Sequence, residues 1–552
     1  MATTVVWFRN CLRLHDNRAL LEASKLANPL VCIFVFTPSV YDPKYMGINR
    51  FHFLLQSLQD LQKQLKDRYK GELILIETKT TYKDVLSELV RKAPISKIFY
   101  EYDSTPFAKR RDQSIGEYLR KDHPEIEFTS FQGHTLTDLA KVTKKVGFKN
   151  PINMKMVENI VLQEFGSSKK ASGINVPASL DPPTAMKFNS NFQDVIKINN
   201  TFKVLEKVPS LGDLTEIFGN AFDNVDITNI AKNTYFPGGE TEALKRLKAK
   251  VLDQPNFVCK FKKPETSSVA SADTMFKEPS TTGLSPYLAH GCLSVRKFWN
   301  SVDSCYEKQK STKIDNIAMS LYGQVMFREM FYILNEAIGD PFSRNEKVNN
   351  SAITKYVDWD KPNPELIQAW EEGRTGYPYI DALMRQMKST GWMHHLGRHA
   401  VSCFLTRGQM YQNWTLGRDV FDRQLIDSDY ALNTGNWLWL SGIAPFSMPF
   451  FRVYNPCPQE DKKSALNFGK GGNDFIRYWV PELKNFPAKY LTSPWECPGM
   501  AQKACGVIIG QDYPKPIVPL KNNNIEKFKN SMAKNKSKTE TPSPVAKKRK
   551  FD

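Results

Sequence analysis

The sequence predicts two domains of different class: an α/β domain at the N-terminus and an all-α domain at the C-terminus. Three observations carry this. A length of 552 residues is too great for one ordinary core. The first 130 or so residues alternate short β-branched, aromatic runs with helical periodicity. Beyond about residue 236, Trp, Tyr, Phe, Leu and Met recur at helical spacing and strand-like runs disappear.

In the first region, Val5–Phe8, Leu30–Phe36, Leu73–Ile76 and Ile98–Tyr102 read as strands. Phe51–Leu65 and Tyr82–Val90 read as helices between them. That alternation implies a parallel, Rossmann-like sheet covered on both faces over residues 1–134. No GxGxxG follows the first strand, so an ordinary dinucleotide site is not indicated there. Residues 135–235 are rich in Pro, Asn, Ser and Lys and read as a linker wrapping the surface. Periodicity returns at Phe236-Pro237-Gly238-Gly239-Glu240, with a helix expected over Glu242–Val251. The helical domain is expected to run over 236–520. Residues 521–552 are poor in apolar side chains and are expected to be disordered. They end in Lys547-Lys548-Arg549-Lys550 after two prolines, a pattern that reads as a nuclear localisation signal.

The net charge of +18 points towards a polyanionic partner, with nucleic acid the first candidate. Residues 521–552 account for +7 of it, leaving +11 on the folded body. Nine cysteines are scattered without a CxxC pair, as suits free thiols in a reducing compartment. No apolar run approaches the roughly 18–20 residues of a membrane helix, and MATTVVWFR lacks the features of a secretory signal.

Three segments carry candidate chemistry. In TGWMHHLGRHAVSCFL (390–405), His395 and His399 stand at i and i+4, on one helical face. Zinc is disfavoured: Leu396 occupies the position where a zincin has Glu, and no other ligand pattern completes a site, so no metal is expected. An acid/base pair and two satisfied interior histidines remain as readings. In LIDSDYALNTGNWLWL (425–440), Asp427 and Asp429 precede Asn433, Trp437 and Trp439, and Arg398 is the natural partner for a buried carboxylate. In PSTTGLSPYLAHGCLS (279–294), Thr281, Thr282 and Ser285 surround Gly283 before a helix start, which suits either an anion cradle or a plain capped loop.

These segments occur in one order with VVWFRNCLRLHDN near the start, FPGGETEAL at 236–244, SLYGQVMFRE at 320–329, GRTGYPYIDALM at 373–384 and FRVYNP at 451–456. Together they resemble the photolyase/cryptochrome family over residues 1 to about 520. The resemblance implies FAD held in a helical domain, with Thr281, Thr282, Leu284 and Ser285 against its diphosphate. It implies Gln324, Arg328 and His395 around the ring system, Arg398 paired with Asp427, Asp429 along the flavin and Asn433 facing its N5. Trp437, Trp414 and Trp359 match the family's electron-carrying tryptophans, with Tyr411 where many relatives have a fourth. Arg452, Lys263 and Trp439 are expected on the DNA side. An antenna chromophore, deazaflavin or folate, would belong to the α/β domain.

Within the family, the position of His395 is Asn and that of His399 is Met in enzymes that split cyclobutane dimers, and Gln324 replaces a Glu there. Repair of a (6–4) photoproduct moves a proton as well as an electron, which two histidines can serve. The resemblance therefore points to a (6–4) photolyase acting as a monomer on ultraviolet-damaged double-stranded DNA. The alternatives are a cryptochrome photoreceptor or circadian regulator with clock or signalling partners, and a cyclobutane-dimer or dual-function photolyase. Asn433, where insect light sensors carry Cys, and the short tail favour repair. Phe327, which stands where relatives usually have Trp, departs from the pattern, as do the stretches 442–449 and 457–467.

Overall fold

The strands form where the chain offers unbroken apolar runs. In a computed structural model of the chain, which describes residues 2–539 apart from 38–39, 43–44, 198, 214–234, 270–278, 311–313, 315 and 345–355, β1 (Thr3–Phe8) and β2 (Leu30–Phe36) are buried at every position. β3 is Leu73–Thr78, β4 Ile95–Glu101 and β5 Glu127–Phe131. They join as β5-β4-β1-β2-β3, all parallel. Such a sheet is buried on both faces, which is why its strands do not alternate polar and apolar. Alternate side chains still part company. Val6, Phe8, Cys32 and Phe34, with helices α1 (Arg18–Ser24) and α2 (Ile48–Tyr69), enter the large core that continues into the helical domain. Val5, Trp7, Val31 and Ile33 face helices α3 (Tyr82–Lys92) and α4 (Pro106–Asp122) in a separate core.

The stretch expected to be only a linker contributes a sixth strand. β6 (Phe202–Leu205) pairs antiparallel with β3, Ile76 opposite Val204, and closes one edge of the sheet. With four residues in a polar setting, it offers too short a run to read as a strand from sequence. Part of the linker, residues 214–234, lies outside the described residues.

The helical domain opens with α5 (Glu240–Leu247), two residues earlier than expected, and a wider turn over Lys248–Leu252 replaces its expected end. Glu240 ties the domains together. Its carboxylate accepts from the backbone of Leu14 (2.7 Å) and His15 (3.0 Å), from Gln64 Nε2 (3.1 Å) and from the His15 ring. A second lock pairs buried Asp16 with Arg296 and the Ser294 hydroxyl. Buried carboxylates endure only when hydrogen-bonded in this way. The helices that build the site are α6 (Leu321–Ile338), α7 (Pro378–Thr390), α8 (His395–Cys403), α9 (Trp414–Gln424) and α10 (Tyr430–Ser441). No helix among the described residues is long and apolar enough to cross a membrane.

The expected disorder of 521–552 is corrected for its first half. Asn524–Thr539 is a helix, α11. Phe528 is fully buried, 5.7 Å from the rings of both Trp359 and Phe450. Asn524 donates to the carbonyls of Gly408 and Gln409, and the Ser531 hydroxyl accepts from Asp358 N. One aromatic anchor and a few polar ties are invisible to average composition. The basic cluster 547–550 lies outside the described residues.

Candidate flavin and lesion site

Helix α8 carries the two expected histidines, but it begins at His395 rather than at 390. Gly391 terminates α7 in a left-handed conformation, and the His394 ring then accepts from Leu396 N (3.2 Å) as the N-cap of α8. From there His395, Arg398 and His399 share one face. The rings of His395 and His399 lie 5.8 Å apart at a steep angle, and the His394 ring lies 4.3 Å from that of His395, tilted by 42°. The sequence signal for this third histidine is the first position of the His394-His395 pair.

Helix α10 supplies the opposite wall. Asp429 is its N-cap, accepting from Ala431 N and Leu432 N. Asn433, Asn436, Trp437 and Leu440 follow along one face into the same cleft. Arg398 Nη2 donates to both oxygens of Asp427 (3.1 and 2.8 Å), and the Ser285 hydroxyl donates to Asp427 Oδ2 (2.7 Å). Lys263, Ser285, Arg328, His395, Arg398, His399, Asp427, Asp429, Asn433 and Trp437 thus line one cleft.

Four expected residues stand elsewhere. Gln324 turns back on its own helix, its amide donating to the Ser320 carbonyl (3.4 Å), and is not on the cleft wall. Thr281, Thr282 and Leu284 lie outside that wall as well. Leu284 is core, and the Thr282 carbonyl accepts from Arg246 Nε (2.9 Å). Gly283 between them is left-handed (φ 61°), and a Cβ there would overlap the Arg246 guanidinium.

Lys263 sits over the rings of Phe327 (5.1 Å) and Trp439 (5.6 Å), which stack at 5.7 Å and 10°. Burial pushes its ammonium down to about 8. Burial, then Lys263 and His394, hold His399 at about 3, and burial, then His394 and Lys263, hold His395 well below the ordinary histidine value. His399 Nδ1 lies 3.0 Å from the Tyr454 hydroxyl, a partner not recognised in FRVYNP. Arg452, from the same motif, is exposed. Its backbone is held by the buried Arg407, whose guanidinium also donates to the carbonyls of Leu440 (3.1 Å) and Phe450 (2.7 Å). Arg407 therefore shapes the rim that departs from the family pattern, a role its sequence position did not reveal.

Of the three tryptophans expected to carry electrons, Trp437 and Trp414 are fully buried and Trp359 is half-buried. Trp437 rests against Gly417, one turn after Trp414 on α9. Trp359 packs 5.2 Å from Tyr411. None of the three indole N–H groups has a hydrogen-bond partner.

The residues present fit a flavin dinucleotide. A buried Arg328 Nη1 that makes no hydrogen bond and lies 3.5 Å from Glu329 Oε1, an Arg–Asp pair at the wall and a cleft face of Asn433, Asn436 and Trp437 offer donors, charge and stacking surface together. Among the described residues, no group of three or more His, Cys, Asp or Glu could hold a metal ion.

Comparison with known proteins agrees with this architecture. Residues 320–533 match the FAD binding domain of DNA photolyase, and residues 4–172 match DNA photolyase. The chain is 37% identical over 517 residues to Cryptochrome-1 of Sylvia borin, covering 93% of this chain and 75% of the relative. It is 37% identical over 518 residues to Cryptochrome-2 of Gallus gallus, covering 93% and 80%. A bacterial class III photolyase from Agrobacterium tumefaciens superposes with a TM-score of 0.73 at 25% identity, covering 97% of this chain and 98% of that one. A Synechocystis cryptochrome shares the fold, with a TM-score of 0.75 at 24% identity over 96% and 99% of the two chains. With two matching domain families, relatives aligned over nearly its whole length and the same α/β and helical halves, the chain belongs to the photolyase/cryptochrome family.

Proposed function

We propose that this protein binds FAD in the cleft between α6, α8 and α10 and uses light to repair (6–4) photoproducts in DNA. The observation that carries the lesion assignment is the pair His395 and His399, on one face of α8 and opening into the cleft that holds Asp427 and Asn433. FAD, when bound and reduced, supplies an electron on excitation. Arg328 and the Arg398–Asp427 pair bind and orient the cofactor. Lys263, Phe327 and Trp439 exclude water from a flipped base and stack on it. Arg452, on the exposed rim, contacts backbone phosphate. His395 holds the proton that must follow the electron, and His399, fixed by Tyr454, holds the lesion. Both rings are neutral at rest because burial and Lys263 oppose their charge. An electron arriving beside them offsets that penalty, so protonation is coupled to electron arrival. Trp437, Trp414 and Trp359 would carry electrons between the surface and a bound flavin.

The cavity at the carboxyl ends of the strands, beside Arg9, Tyr41 and Arg111, is the place for a second chromophore such as a deazaflavin or folate. Ligands of open α/β sheets lie at such a crest, where the strand order reverses at β1. An archaeal photolyase from Sulfolobus tokodaii has two FAD molecules.

A second reading, a cryptochrome photoreceptor without repair, is favoured by the animal cryptochromes among the relatives. One experiment separates the readings: blue-light repair by purified, FAD-loaded protein of duplexes carrying a (6–4) or a cyclobutane lesion. Wild type is expected to restore the (6–4) duplex, and His395→Asn to keep FAD and damaged-DNA binding yet lose most repair. Cyclobutane repair alone, or no repair by flavin-loaded protein, rejects the (6–4) assignment.

A further inference from the structure

Two cavities meet at one carboxylate. The flavin cleft and the cavity at the strand ends share Ala289, Ser428 and Asp429 in their walls, and Asp429 alone of these is ionisable. Asp429 Oδ1 is committed to the backbone of α10. Its Oδ2 accepts a hydrogen bond from the Tyr332 hydroxyl. That hydroxyl lies 2.7 Å from Nε2 of His134, which itself lies 3.6 Å from Asp429 Oδ2 and whose side chain is 12% exposed in the strand-end cavity. His134 Nδ1 lies 3.9 Å from Glu101 Oε1, a buried oxygen with no hydrogen-bond partner, while Arg13 donates to the other oxygen (2.9 Å). On the flavin side, the Arg328 guanidinium lies over the Tyr332 ring (4.6 Å). Its neighbour Glu329, 3.5 Å from Arg328 Nη1, accepts from the backbone of Leu136 and Thr137 and from the Thr137 hydroxyl.

We propose that His134, Tyr332 and Asp429 are a proton relay from the strand-end cavity into the flavin cleft, an inference that rests on the FAD reading above. A proton source is needed because Asn433 is an amide whose NH2 is held by the Arg418 carbonyl (2.9 Å). The step balances. A proton enters at His134 Nδ1, the Nε2 proton passes to the Tyr332 oxygen, and the hydroxyl proton passes to Asp429 Oδ2. No bond between heavy atoms changes, Asp429 becomes a neutral acid, and His134 ends as the Nδ1–H tautomer. The acid releases its proton to a base in the cleft that has gained negative charge, and His134 resets by exchange with the cavity. Burial favours the neutral acid, but His134, Arg328 and Tyr332 outweigh it and hold Asp429 at about 2. The carboxylate therefore stays charged until charge arrives beside it. His134 and Tyr332 act through Asp429 and are positioning residues.

The test uses the full FAD-loaded chain, photoreduced with an external reductant in weak buffer, with proton uptake read by an indicator dye. Tyr332→Phe and His134→Ala are expected to slow uptake about 100-fold, the low end of general acid–base contributions. Electron arrival itself should be unaffected. Wild type should show a solvent deuterium isotope effect that Tyr332→Phe lacks, and free imidazole should restore His134→Ala, which opens onto a cavity. Uptake at the wild-type rate in both variants, or slowed uptake that imidazole does not restore, overturns the relay. In the apo chain with 15N-labelled histidine, Tyr332→Phe should move the His134 Nε2 resonance. An unmoved resonance overturns the relay whether or not FAD binds, whereas failure of a folded, cofactor-supplied chain to photoreduce rejects the FAD reading alone.

Discussion

His399 should remain neutral far below the pH at which an ordinary histidine charges, and the protein should lose stability in acid as a result. The folded group titrates at about 3, and the unfolded one near 6.5. Because the folded value is lowered, the unfolded chain binds more protons between those limits, and stability falls as pH drops below about 6.5. Between pH 7 and pH 5 the unfolded state gains about 2 kcal/mol from this one side chain, at 1.36 kcal/mol per unit beyond its own titration. His399→Met removes the titrating group, so the variant should lose about 2 kcal/mol less than wild type over that interval. Denaturant midpoints at the two pH values give the comparison, and 15N-histidine spectra give the direct check. The His399 resonances should stay those of neutral imidazole down to pH 4.5. A transition near pH 6.5, or equal acid loss in wild type and His399→Met, refutes the argument that burial and Lys263 suppress the charge.

Further perturbations test other parts of the reading. Trp437→Phe should slow photoreduction of oxidised FAD while leaving repair by already reduced enzyme largely intact, and an unchanged photoreduction rate rejects its place in the relay. Arg452→Ala should weaken binding to damaged and undamaged duplex alike and lower the salt slope by roughly one; loss confined to damaged DNA contradicts a phosphate contact. Phe528→Ala removes the buried anchor of α11, a change that costs about 3–5 kcal/mol for a core Phe. It should release amide-exchange protection over 524–539 without altering the strands, and unchanged protection disproves docking through that ring.

The parts legible in the sequence are those whose signal is local. β1 and β2 announced themselves because burial on both faces leaves unbroken runs, and His395 and His399 could be put on one face from their spacing alone. β6 escaped because Phe202-Lys203-Val204-Leu205 gains its place from pairing with β3, not from its own pattern. Helix α11 escaped because one phenylalanine decides its docking. The site partners escaped for a related reason. Tyr454 reaches His399 across 55 positions, Tyr332 reaches Asp429 across 97 and His134 reaches Tyr332 across 198. No spacing rule spans such intervals. Gln324 is a different case: a position matched by motif does not fix a rotamer, and here its amide turns to its own helix.

The lock between Asp16 and Arg296 joins positions 280 apart in the chain. A ribosome adding roughly 5–20 residues per second needs on the order of 15–60 s to make that interval. Once β6 is made, His15 and Asp16 lie on a complete sheet while their partners Glu240 and Arg296 are still unsynthesised. The early α/β domain thus emerges with a wet, charged face that closes only when the helical domain reaches it. Translation order is written into the fold: the first motif of the chain is among the last to be sealed, and a pause before residue 296 leaves the two halves open to each other.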